Sequence, residues 1–383
     1  MHWLRARCSQ GSSIRASTQS RHRESGRPVT APKVSNRVAA RPGSRRPPRL
    51  LWLACLVLIA SGCAAPQLVP SAPQNRLPAG LDADQARMDD GYVLPVHRWS
   101  VAQAPPRALV LGLHGFNDYA NAFAPLGRDL AELGIITYAV DQRGFGASAL
   151  PGRWHGSERL SADLRILIDL LRQAYPDLPL YLAGESMGGA VILAALAEGS
   201  LAVDGVILMA PAVWSRQTMP WYQRLALDAA AHTVPWLKLT GEGIRISPSD
   251  HLEMLRALGA DPLVIKATRV DALWGITDLM DRASLATLEP GMPILLLYGE
   301  QDHIIPANAF CQFLSTQPAT APDLTLVLYE QGWHMLTRDL QGPRVRADIA
   351  AWIATPAEPL PSGETTFVTG ARIAQLCDRA TAP

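Results

Sequence analysis

Metal-ligand spacing is missing from this chain. Its nine His and five Cys are scattered, with no CxxC and no HExxH. Neither a zinc ribbon nor a metalloprotease helix can be built from them, so no metal is expected. A basic patch interleaved with aromatics is missing too. The formal charge of +1 hides an uneven spread. Residues 1–62 hold 12 of the 35 Lys and Arg and one of the 34 acids, Glu24. The rest of the chain carries 23 basic and 33 acidic side chains, a net of −10. A body of that sign lacks the clustered cations that phosphate contacts need, which excludes a nucleic-acid partner. No apolar run reaches the roughly 20 residues of a bilayer-spanning helix. No internal repeat occurs, which excludes a solenoid or propeller. What is abundant is apolar side chain, 48% of 383 residues, enough for a sizeable core.

The first 62 residues stand apart. Up to Arg49 they are rich in Arg, Ser and Pro and cannot form a core. Arg45-Arg46-Pro47-Pro48-Arg49 then precedes the apolar run from Leu50 to Ala60, followed by small residues and Cys63. A basic stretch, a short apolar stretch and small residues together form a secretory signal. Ile59-Ala60-Ser61-Gly62-Cys63 resembles the lipobox of bacterial lipoproteins, in which the Cys receives the lipid; Ala60 stands where such boxes usually carry Leu. The resemblance implies an exported protein anchored to the membrane at Cys63, facing the periplasm or cell surface. The stretch before Arg45 is longer than such signals run and reads as sequence upstream of the true start. Residues 63–85, rich in Pro and Ala, read as a tether. Cys8 and Cys55 leave with the signal. Cys311 and Cys377 remain as a pair that an oxidising compartment would bridge.

From Met88 onward, short apolar runs alternate with helical periodicity. Asp90-Gly91 reads as a hairpin turn. Strands are expected at Val93–Ser100, Ala108–Leu113, Ile135–Val140, Leu178–Ala183, Val206–Met209, Ile294–Tyr298 and Leu324–Tyr329. Helices are expected near 121–133, at Ser161–Ala174, at Ala190–Glu198 and near 340–354. In Ser161–Ala174 the residues Leu164, Leu167, Ile168 and Leu171 make one apolar side. This alternation calls for a mostly parallel central sheet with helices on both faces. Residues 211–290 break the rhythm. They show no clear strand, are too long for a loop, and read as an inserted helical cap. Its Trp214, Trp221 and Tyr222 either pack inside the cap or line an apolar substrate pocket. The cap divides a core of residues 86–210 and 291–356, and residues 357–383 form a C-terminal extension.

Gly184-Glu185-Ser186-Met187-Gly188 is a G-x-S-x-G pentapeptide between an apolar strand and a helix. A tight turn there exposes a Ser hydroxyl and aims the following N–H groups at the same point. A Ser hydroxyl needs a base to take its proton. His334, after the strand Leu324–Tyr329, is the candidate; His232 and His251 fall in the cap, and His303 has no strand of its own. The orienting acid should follow the strand Ile294–Tyr298. Asp302 is the candidate, with Glu300 two residues earlier pointing elsewhere. An oxyanion would need two N–H donors, assigned to Met187 and Phe116. His114 precedes the nucleophile and is expected to shape its loop.

Taken together these pieces resemble one branch of the α/β-hydrolases, the monoacylglycerol lipase and lysophospholipase group, which also holds esterases and peptidase-like members. The matching residues are His114-Gly115-Phe116, Asp141 to Ser148 as D-x-R-G-x-G-x-S, Gly156-Ser157, the Ser186 elbow, Asp261-Pro262, Tyr298 to Asp302, and His334. The resemblance implies an α/β-hydrolase fold and a cofactor-free serine hydrolase that cleaves monoacylglycerol- or lysophospholipid-like esters through an acyl-enzyme. A peptidase or amidase on the same scaffold is a competing reading, and a catalytically silent binding module a third. Glu185 beside the nucleophile would disfavour anionic substrates if it faces the pocket. No feature specifies an oligomeric state.

Overall fold

The computed structural model describes residues 65–70, 78–101, 105–241, 246–288, 291–318, 323–366 and 369–381. The basic segment, the apolar run and Cys63 lie outside the described residues. The described strands are β1 (Gly80–Leu81), β2 (Gln85–Arg87), β3 (Val93–Trp99), β4 (Ala108–Leu113), β5 (Ile135–Val140), β6 (Leu180–Glu185), β7 (Gly205–Met209), β8 (Lys238–Thr240), β9 (Ala267–Arg269), β10 (Ile294–Gly299), β11 (Leu324–Tyr329) and β12 (Thr365–Thr366). Ten of them form one sheet in the order β1-β2-β3-β5-β4-β6-β7-β10-β11-β12. The six central strands, from β5 to β11, are parallel. Antiparallel β3 borders them on one side and antiparallel β12 on the other.

The apolar runs are continuous because both faces of the sheet are covered. Along β4, Leu109, Leu111 and Leu113 enter one core, and Ala108 and Val110 enter the other. The first core takes side chains from helices Ser157–Ala174, Met187–Ala197, Val270–Ser284 and Ala307–Ser315. The second takes them from helices Ala124–Glu132 and Gly342–Ala354. Burial at alternate positions of each strand thus reaches opposite layers, as the period of two requires. Asp90 and Gly91 do turn a hairpin between β2 and β3, with Gly91 at φ 81° and the Tyr92 N–H donating to Asp90 Oδ1 at 3.1 Å.

The segment expected as a helical cap without strands differs in two ways. It contains a two-stranded antiparallel ribbon, β8 with β9. Its last helix, Val270–Ser284, belongs to the body: Ala272, Ile276, Leu279, Met280 and Ala283 recur at helical spacing and are buried in the first core. The helices that remain in the excursion, Trp221–Thr233 and Leu252–Ala260, bury almost nothing; Ala231 is their one fully covered residue. Two helices also start earlier than their apolar stripes suggest, at Ser157 rather than Ser161 and at Met187 rather than Ala190.

Candidate active site

The chain runs from β4 to β5 on one side, then returns to place β6 on the other side of β4. Such a reversal opens a crevice outside the carboxyl ends of the two strands. His114-Gly115-Phe116 leaves β4 there, and Ser186 leaves β6. Ser186 has φ 53° and ψ −111°. That backbone state costs a residue with a Cβ roughly 1–3 kcal/mol and persists only where surroundings enforce it. Three hydrogen bonds do so: the Ser186 N–H donates to the Met209 carbonyl at 2.9 Å, and the Ser186 carbonyl accepts from Ala190 and Ala212 at 3.0 Å each. Gly188 makes the turn possible. A Cβ there would stand 1.9 Å from the Leu113 carbonyl oxygen, so only glycine lets the helix start rest on the end of β4.

Asp302 and His334 arrive from neighbouring strands. β10 and β11 run in parallel with Gly299 opposite Tyr329, and each candidate follows its own strand end. His334 Nδ1 donates to Asp302 Oδ2 at 2.8 Å, and both side chains are buried. The second oxygen, Oδ1, accepts the N–H groups of Ile304 and Ile305 at 2.7 and 2.9 Å. This arrangement fixes the tautomer and leaves Nε2 as the basic atom. Burial alone would lower the His334 pKa, but the charge and hydrogen bond of Asp302 outweigh it and raise the value above 6.5. Glu300 does point elsewhere, toward Arg372 and Arg379.

Around the crevice, Met187 is the first residue of its helix, so its N–H has no intrahelical acceptor. Phe116 packs its ring against Phe145 and Trp154. His114 is fully buried, and burial pushes its pKa below the ordinary imidazole value. Its Nδ1–H donates to the Gly115 carbonyl at 2.8 Å, and Nε2 accepts the Gln142 N–H at 3.0 Å. It therefore shapes the loop rather than moving protons. The D-x-R-G-x-G-x-S segment is a brace of the same kind. Asp141 accepts the N–H groups of Ala120 and Ala147, and Arg143 is held between Asp90 and Asp163.

Periodicity and motifs missed Arg338. Its Nη2 donates to Glu185 Oε1 at 2.6 Å, and Nη1 lies 2.8 Å from Asp118 Oδ2, all three groups being buried. Glu185 is therefore engaged by a cation rather than presented bare beside Ser186. The loop that carries His334 is also tied to the cap. Met335 N–H donates to the Pro248 carbonyl, Leu340 N–H to Asp250, and His251 Nδ1–H to the Arg338 carbonyl. Nothing in sequence spacing signals these ties, since they join residues 87 to 90 positions apart. A cleft of about 480 Å³ lies alongside, bordered by Asp118, Asp261 and Arg338 and by Met254, Ala257 and Leu258. Trp214, Trp221 and Tyr222 do not border it. Trp214 is half-buried against the first core, whereas Trp221 and Tyr222 are 72% and 57% exposed and meet edge to face. Cys311 and Cys377 are bridged, with Cα atoms 5.7 Å apart. Among the described residues no His, Cys, Asp and Glu cluster could hold a metal ion.

Residues 104–341 match the profile of the family described as Serine aminopeptidase, S33. A monoglyceride lipase of Homo sapiens is 26% identical over 288 residues, covering 72% of this chain and 89% of that protein. A monoacylglycerol lipase of Mycolicibacterium smegmatis is 26% identical over 260 residues, covering 65% and 89%. The crystal structure of Paleococcus ferrophilus monoacylglycerol lipase superposes with a TM-score of 0.57 at 22% identity, covering 68% of this chain and 98% of that one. The shared architecture is the α/β-hydrolase fold.

Proposed function

The chain belongs to the Serine aminopeptidase, S33 family of hydrolases, and on that footing we propose that it cleaves carboxylic esters of monoacylglycerol or lysophospholipid type. In this reading Ser186 is the nucleophile, His334 the base and Asp302 the acid that orients it. His334 Nε2 takes the hydroxyl proton as Oγ attacks the ester carbonyl. The Phe116 and Met187 N–H groups receive the oxyanion. Collapse breaks the bond to the alkoxy oxygen, which leaves with the proton from His334. Water, activated by the same imidazole, then releases the acid and restores Ser186.

One observation carries the reading: the buried Asp302–His334 hydrogen bond stands at the strand ends, on the edge where Ser186 is held at φ 53°. The substrate class is supported by relatives named monoglyceride or monoacylglycerol lipase. An aminopeptidase needs a carboxylate for the substrate ammonium. Glu185 and Asp118 share one buried cation, Arg338, which weakens both for that role, and the relatives are named lipases, so the ester reading is preferred over the amide one. The exposed aromatics Trp221 and Tyr222 are read as a surface for the acyl chain. The Cys63 lipid anchor and export complete the proposal, which puts the enzyme at a membrane that supplies such lipids.

A panel of p-nitrophenyl esters of rising chain length, beside a monoacylglycerol, a lysophospholipid and an aminoacyl amide, tests this. Buried apolar area contributes roughly 25 cal/mol per Å², so KM should fall with chain length until the pocket is full. Highest kcat/KM on the amide, or on acetyl esters with a steady fall thereafter, sinks the lipid reading.

A further inference from the structure

The loop after β10, Gly299-Glu300-Gln301-Asp302, holds two carboxylates. The proposed chemistry uses one. The other, Glu300, has a side chain only 9% exposed, an unfavourable place for a charge unless it is paired. It is paired twice. Oε1 accepts from Arg372 Nε at 3.1 Å and lies 3.0 Å from its Nη2, and Oε2 accepts from Arg379 Nη2 at 2.9 Å. Arg372 and Arg379 are two turns apart on one face of the helix Ala371–Thr381. That helix lies beyond the residues that match the family.

The helix is held to the body by more than these ions. Cys377 is bridged to Cys311 in the helix that follows the acid loop, and Ile373 and Leu376 are buried in the first core. Arg372 also donates from Nη1 to Glu364 at 2.7 Å, and Glu364 faces Arg344 at 3.0 Å. Arg344 stands on the helix Gly342–Ala354, just after the base-bearing loop. One ion network thus reaches from the acid loop to the element behind the base. The two loops already share backbone bonds: Glu300 N–H to the Tyr329 carbonyl at 2.9 Å and Gln301 N–H to the Gly332 carbonyl at 3.0 Å. The Glu300 carboxylate adds a charge-assisted hold from outside, the stronger kind of hydrogen bond.

We propose that Glu300 is a positioning residue through which the C-terminal helix holds the acid loop, and with it the Asp302–His334 hydrogen bond. The inference rests on the triad reading above. A clamp that only secures the tail would change stability alone. A clamp that positions Asp302 changes kcat and the titration of His334 and leaves KM nearly untouched.

The direction of the titration separates positioning from simple field effects. His334 is faced by Asp302, Glu185 and Arg338, and Glu300 is faced by Arg372 and Arg379, with Glu364 behind Arg372. By charge alone, Glu300→Gln lowers the His334 pKa, whereas Arg379→Gln or Arg372→Gln raises it. A loosened Asp302 contact lowers it in all three.

The experiment uses the full chain, with kcat and KM for a p-nitrophenyl ester measured across pH and active sites counted by fluorophosphonate labelling, so that only folded enzyme is scored. Glu300→Gln should lower kcat by about tenfold, short of the ~10² that a 1 Å misplacement costs. The pH midpoint should fall in the Glu and Arg variants alike. Arg379 is 66% exposed, so Arg379→Gln folds even where Glu300→Gln does not, and it carries the test by itself. In the double variant, Arg379→Gln should add nothing to Glu300→Gln. Unchanged kcat per labelled site in these variants, or an upward midpoint in the Arg variants, overturns the proposal. Wild-type activity in Asp302→Asn overturns the triad reading instead.

Discussion

A serine with a positive φ is an energetic exception that its neighbours must enforce, and Ser186 is held by hydrogen bonds on both sides of its peptide. Replacing its hydroxyl leaves that frame intact. Ser186→Ala is therefore expected to fold normally and to lose on the order of 10⁶ in kcat; activity within about tenfold of wild type would reject the assignment. His334 gives a second expectation. A base must be neutral to accept a proton, and its pKa is raised by Asp302. kcat/KM should rise with pH through a midpoint above 6.5. In Asp302→Asn the two largest raising influences are gone while burial still lowers the value, so the midpoint should drop, with kcat reduced by about 10⁴. A midpoint that does not move shows that Asp302 is not the partner. The same shift contributes to folding: a raised imidazole pKa stabilises the fold most below the unfolded value and is lost as pH rises through the folded one. These three residues were legible because each follows an apolar strand run. Arg338 was not, because its importance comes from Glu185 and Asp118, which lie far from it in sequence.

Among the elements, strands were easier to read than the cap. A strand buried on both faces is a short apolar run bounded by turn residues, and β4, β5, β6 and β10 are buried along their whole length. The ribbon β8–β9 is exposed or half-buried and so carries no such run. The C-terminal helix lies between these cases. Its inward residues Ile373 and Leu376 are few, and the bridge to Cys311 supplements them. With the cysteines 66 positions apart in sequence, opening the bridge should cost up to roughly 4 kcal/mol on the chain-entropy model. Cys377→Ser is expected to lower the urea midpoint accordingly, and an unchanged midpoint would show that burial and the ion pairs hold the helix without the bridge.

For the whole molecule, net charge bears directly on the proposed membrane attachment. The chain after residue 62 has a net charge of −10, a sign that gives little attraction to an anionic lipid surface. A stable membrane association therefore has to come from the proposed anchor at Cys63 and from apolar contacts. Cys63→Ala should abolish lipid labelling and shift the protein out of the detergent phase, with activity on a soluble p-nitrophenyl ester preserved. Unaltered partitioning of this variant would dismiss the anchor.

Sequence by itself determined the layered α/β architecture and the strand ends on which the proposed nucleophile, acid and base stand. Those properties follow from local patterns: apolar runs of strand length, helical spacing, and turn residues at their ends. Tertiary structure decided what has no local signature. It assigned Val270–Ser284 to the body, because an apolar stripe does not say which core it will enter. It paired Glu185 with Arg338 and Glu300 with Arg372 and Arg379. A carboxylate next to a catalytic candidate looks the same in sequence whether it faces substrate or a buried cation. Only the fold, by bringing distant segments within about 3 Å, settles which.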